Sequence, residues 1–66
     1  MNEDVLKGNW MQLKGRVKQW WGRLTDDDLD RIDGSVDELA GSLQERYGYE
    51  REEAEREIER RLESNP

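Results

Sequence analysis

From Leu6 onward, apolar side chains return every three or four residues: Leu6, Trp10, Leu13, Val17, Trp20 or Trp21, and Leu24. A second run, Ile32, Val36, Leu39, Leu43 and Tyr47, keeps the same spacing. Residues so spaced share one face of an α-helix, with polar residues on the other. Asn9 and Ser35 each follow a glycine and are good N-cap residues, while Gly22 and Gly48 stand where a left-handed residue ends a helix. The pattern therefore predicts helices over about residues 9–21 and 35–47.

Two further helices come from cap chemistry and charge. Thr25 followed by Asp26, Asp27 and Asp28 is a strong helix start, because the hydroxyl caps free N–H groups while carboxylates meet the positive end of the helix dipole. That helix runs to about Asp33. Near the C-terminus Ala54, Ile58 and Leu62 fall at i, i+4 and i+8, predicting a helix over about residues 50–63 with Glu50 in the weaker capping place. Its outer face offers Glu52 with Arg56, Arg51 with Glu55 and Glu57 with Arg61 as one-turn ion pairs, each contributing about 0.2–0.5 kcal/mol. No β-hairpin signal is present. The expected fold is all-α: four short helices as two helical hairpins packed across a pseudo-two-fold axis.

The glycines give that axis a basis. All six fall in two triplets spaced by seven, Gly8, Gly15, Gly22 and Gly34, Gly41, Gly48, offset by 26 residues. The same offset pairs Leu6 with Ile32, Asn9 with Ser35, Trp10 with Val36, Leu13 with Leu39, Val17 with Leu43 and Trp21 with Tyr47. The chain reads as a tandem duplication within one domain of residues 1–66, with repeats over about 6–33 and 32–63.

Composition narrows the chemistry. Only 32% of the 66 residues are hydrophobic and 42% are charged, so the core is thin, and only modest stability and two-state unfolding are expected. There is no Cys and no His, which removes disulfides, thiolate nucleophiles, zinc–thiolate sites and the commonest general base. No apolar run approaches the roughly 20 residues of a membrane span, and MNEDVLKGNW lacks a signal-peptide plan. A cytoplasmic monomer without membrane contact is the expectation. The net charge of −6 is unevenly spread: residues 1–24 hold five basic and two acidic side chains, residues 25–66 six basic and fifteen acidic. The two parts are expected to attract one another.

Each candidate chemistry has a plainer competitor. Asp26, Asp28 and Asp30 alternate as calcium ligands do, but Arg31 stands where such a loop needs Gly, and helix initiation accounts for the same carboxylates. Acid–base catalysis by scattered carboxylates lacks a dry pocket, so no enzyme activity, no catalytic or metal residue and no cofactor are expected. Lys7, Lys14, Arg16, Lys18 and Arg23 interleave with Trp10, Trp20 and Trp21 in the manner of a weak nucleic-acid surface, which the negative total charge opposes. Trp10 and Trp21 lie on the apolar stripe. Trp20 pairs with Arg46 in the repeat and is therefore the more exposed indole and a candidate partner contact.

Gly15 and Gly41 complete the candidate surface. Both sit mid-helix and away from the apolar stripes, where a glycine costs about 1 kcal/mol relative to Ala. The expectation is close backbone approach between the 9–21 and 35–47 helices, under which Gly41→Leu destabilises by more than about 2 kcal/mol. A groove for an outside partner, or duplication without present use, are the other readings.

The segments GNWMQLKGRVKQWWGRLTDDDLDRIDG and LAGSLQERYGYEREEAE strongly resemble the CsbD-like family of small bacterial stress proteins. The resemblance rests on Gly8 to Trp10, Leu13 to Gly15, Trp21 to Asp28, Asp33 with Gly34, and Glu45 to Glu55, and covers nearly the whole chain. Glu50 departs from the family's more familiar Thr or Ser cap. The resemblance implies two roughly orthogonal hairpins, no cofactor or active site, and abundance in general stress or stationary phase. Two functions follow as expectations: a soluble protectant that needs no defined site, or a small protein–protein interaction module.

Overall fold

A computed structural model describes residues 3–64. The fold is all-α, and five helices stand among the described residues: α1 (Glu3–Gly8), α2 (Trp10–Trp20), α3 (Asp26–Ile32), α4 (Val36–Tyr47) and α5 (Arg51–Ser64). The sequence pattern predicts four. The additional one is α1, which arises because the residues before Asn9 are already helical and carry fully buried Leu6. Asn9 remains a boundary, with φ −116° and ψ 19°, but its side chain caps nothing ahead of it. Instead its Nδ2 donates backward to the Val5 carbonyl at 3.1 Å.

The other starts follow local chemistry. Thr25 Oγ1 accepts from the Asp28 N–H at 3.1 Å while the Asp28 carboxylate accepts from the Thr25 N–H at 3.0 Å, a reciprocal box that opens α3. Ser35 Oγ accepts from the Glu38 N–H at 3.2 Å to open α4. Before α5, Glu53 accepts from the Glu50 N–H at 3.4 Å. Helix ends follow less closely. Gly48 ends α4 in the left-handed region at φ 72°, as its composition predicts. Gly22 does not do this for α2, which stops at Trp20 with the Trp21 N–H (φ −127°, ψ 79°) donating to the Val17 carbonyl.

One core gathers a stripe from every helix. Leu6, Val17, Leu24, Leu39, Ala40, Leu43 and Ala54 are fully buried, with Trp10, Leu13, Trp21, Leu29, Ile32, Val36 and Ile58 around them. Leu24 is a loop residue, so the α2–α3 connection is anchored by its own apolar side chain. The closest helix packing is α4 against α5 and against α3, then α1 against α2.

The tight place in the fold is the α3–α4 turn. Asp33 (φ 43°) and Gly34 (φ 82°) are both left-handed, and a Cβ on Gly34 would lie 2.9 Å from Lys7 Cα and 3.3 Å from Trp10 Cβ. A side chain there has no room, and α1 lies directly on the turn.

Candidate functional site

Gly15 and Gly41 do not mark close packing. An added Cβ at either meets nothing within 4 Å, so the expected backbone approach between the helices that carry them is absent at these positions. The glycine that close approach requires is Gly34. Gly15 is exposed and Gly41 half-buried, one on α2 and one on α4. Trp20 is half-buried beside Trp21, which is 4% exposed, the order predicted from the repeat register. The two indoles meet edge to face, with centroids 5.7 Å apart at 87°.

Arg23, in the loop after α2, reaches the aromatic end of α4. Its backbone N–H donates to the Tyr47 hydroxyl at 3.1 Å, and its guanidinium lies 5.3 Å from the centre of the Tyr47 ring. Tyr47 in turn stacks on Tyr49 at 5.5 Å. Arg23, Tyr47 and Tyr49 thus hold the α2–α3 loop against the end of α4. Sequence spacing paired Tyr47 with Trp21 but gave no sign of Arg23, because the contact spans 24 residues.

Asp28 is the charged residue that the core takes in, at 1% exposure. It accepts four hydrogen bonds: from the Thr25 N–H, from Arg31 at 2.9 Å, and from Arg46 at 2.9 and 3.2 Å. Its carboxyl is held well below the usual carboxylate range, chiefly by the Arg46 bond and then by the Thr25 backbone, with burial opposing. Arg46 is raised in return by Asp28. Of the alternating aspartates, Asp28 is buried while Asp26 and Asp30 are exposed, and no group of three carboxylates that could hold a metal ion is found among the described residues.

The remaining polar groups offer little reactivity. Ser42 Oγ is buried on α4 with no hydrogen-bond partner among the described residues, so no base stands beside it to activate a nucleophile. On α5, Arg51 pairs with Glu55 at 3.0 Å and with Asp37, Arg56 with Glu52 at 4.0 Å. Glu57 pairs with Arg60 at 3.7 Å rather than with Arg61. The expected attraction between the basic N-terminal part and the acidic remainder comes down to one ion pair among the described residues, Lys14 with Asp30 at 3.0 Å. Lys18 instead donates to the Leu24 carbonyl. No described helix is long and apolar enough to cross a membrane.

Against this geometry, the CsbD-like family model matches residues 4–56. The chain belongs to the CsbD-like family. Among curated proteins it is 59% identical over 58 residues to the UPF0337 protein ECA0631 of Pectobacterium atrosepticum, covering 88% of this chain and 84% of that one. It is 55% identical over 58 residues to the UPF0337 protein YjbJ of Escherichia coli K12, with the same coverage. Against the UPF0337 protein PA4738 of Pseudomonas aeruginosa it is 57% identical over 58 residues, covering 88% and 89%. These names state no reaction and no ligand. No solved structure matches the chain.

Proposed function

We propose that this CsbD-like chain is a non-enzymatic bacterial stress-response protein that acts through its charged surface as a soluble protectant. The observation that carries the reading is the disposition of its ionisable groups. Asp28, buried, has both carboxylate oxygens occupied by Arg46, Arg31 and Thr25, and the Arg–Glu pairs of α5 lie on the outside. A surface so dense in charge keeps the chain hydrated and apart from its neighbours. The matched burial of Leu6 with Ile32, Trp10 with Val36 and Val17 with Leu43 supports a duplicated unit within this fold, two hairpins related by the 26-residue register.

Drying a labile enzyme with and without the protein tests the reading. Retained activity that rises with the mass of protein added, equally for Trp20→Ala, supports it. No protection beyond that of an equal mass of an unrelated acidic protein overturns it.

A second reading, a protein–protein interaction module, is favoured by the half-buried Trp20 and by the open space over Gly15 and Gly41. It separates from the first because Trp20→Ala, with stability unchanged, abolishes the contact with a partner and leaves drying protection intact.

A further inference from the structure

The chain has two tyrosines, and the fold stacks one on the other. Tyr47 is the last residue of α4, and Tyr49 stands in the connection to α5. Residues two apart on a continuous helix do not face each other. Here the left-handed turn at Gly48 breaks the helix between them, and the rings lie 5.5 Å apart, centre to centre, with their planes within 20° of parallel. Both are half-buried, packed against the core on one flank and open to water on the other. Arg23 fixes the first ring further, through its guanidinium 5.3 Å from the ring centre and its N–H on the hydroxyl oxygen at 3.1 Å. Because Arg23 is the donor, that bond needs only the oxygen and persists when the phenol gives up its own proton.

A stacked pair of phenols is arranged for oxidative coupling. A one-electron oxidant removes an electron from each phenol and the O–H proton passes to water, leaving a phenoxyl radical with spin density on the carbons beside the oxygen. Two such rings approaching face to face form a C–C bond between those carbons. The two displaced ring hydrogens then return to the oxygens and restore both phenols. In sum, two phenols give one biphenol, two electrons and two protons.

We propose that Tyr47 and Tyr49 form an oxidative modification site that reacts with two equivalents of a one-electron oxidant, such as the carbonate radical, and closes to a dityrosine within the chain. This goes beyond the protectant reading and does not rest on it. Competing groups leave the route open. There is no Cys, and the exposed Met11 sulfur takes oxygen from two-electron oxidants such as peroxide, a different class. A phenol two residues away is also held at an effective concentration that a second chain in dilute solution does not reach, so coupling stays within the molecule.

Photo-oxidised tris(bipyridyl)ruthenium, a one-electron oxidant, applied to the full chain at several dilutions provides the test. The expected product fluoresces as dityrosine, has the mass of one chain less two hydrogen atoms, and forms in a fraction that does not depend on protein concentration. The mass loss maps to the tryptic segment of residues 47–51. Tyr49→Phe, which deletes one hydroxyl, loses this product while keeping the helicity of the parent. Unfolding the chain in urea before oxidation lowers the yield, because the stack is gone. Dityrosine confined to covalent dimers overturns the proposal, and so does oxidation that reaches Trp or Met11 without forming dityrosine. An equal yield from the urea-unfolded chain also overturns it, since closeness in sequence rather than the folded stack would then account for the product.

Discussion

Asp28 and Arg46, eighteen residues apart in sequence, meet through two hydrogen bonds of 2.9 and 3.2 Å that tie the first turn of α3 to the last turn of α4. The carboxylate is buried, whereas the Arg46 side chain is 38% exposed, so water keeps part of its hold on the cation. The carboxylate is thereby desolvated yet fully hydrogen-bonded, and the cation is not lost to the interior.

Replacing that carboxylate makes the first prediction. Asp28→Asn leaves Arg46 and Arg31 without their anion and weakens the cap on Thr25, at a cost of about 2–3 kcal/mol at pH 7. Because the folded carboxyl titrates well below its unfolded value of about 3.9, the unfolded chain binds the proton first as pH falls. The wild-type contribution is thus full above about pH 5 and drains away below about pH 4. Urea unfolding at pH 7 and pH 3, followed by Trp fluorescence, should show the gap between wild type and Asp28→Asn shrinking in acid.

The glycines make the second. Gly34→Ala meets both a left-handed backbone and the Lys7 backbone at 2.9 Å, and should lose about 2–3 kcal/mol. Gly15→Ala and Gly41→Ala enter open space within helices and should each gain about 0.5–1 kcal/mol. Thermal unfolding distinguishes the two signs directly. The same open space removes the basis for a large penalty at Gly41→Leu.

Capping residues make the third. Thr25→Ala breaks the box that opens α3 and should cost about 1 kcal/mol, with Ser35→Ala similar at α4. Asn9→Ala removes only an exposed bond back to Val5 and should change stability by less than about 0.5 kcal/mol. Equal losses at Asn9 and Thr25 would show that Asn9 caps α2 after all.

How much of this was legible in the chain follows from range. The spacing of Leu13, Val17 and Trp21 and of Leu39 and Leu43, the caps at Thr25 and Ser35, and the break at Asn9 depend on residues within one or two turns of each other, so sequence alone placed α2, α3 and α4 and the buried faces of α2 and α4. Trp20 was legible as the more exposed indole from the 26-residue repeat, which sets it opposite Arg46. The helix α1 was missed because a six-residue helix has too little periodicity to show itself and is held by a contact with Gly34 far along the chain.

Tertiary structure alone decided which of three consecutive aspartates turned inward and which of six glycines was tight. Asp26, Asp27 and Asp28 all lie at the positive end of the helix dipole; among them Asp28 lies where Arg46 arrives from α4 to compensate its burial. Gly15 and Gly41 are the glycines that the spacing places mid-helix, yet the one that lies under the backbone of α1 is Gly34. Local sequence sets the conformation that a residue prefers, whereas desolvation and excluded volume are set by neighbours that only the folded chain brings near.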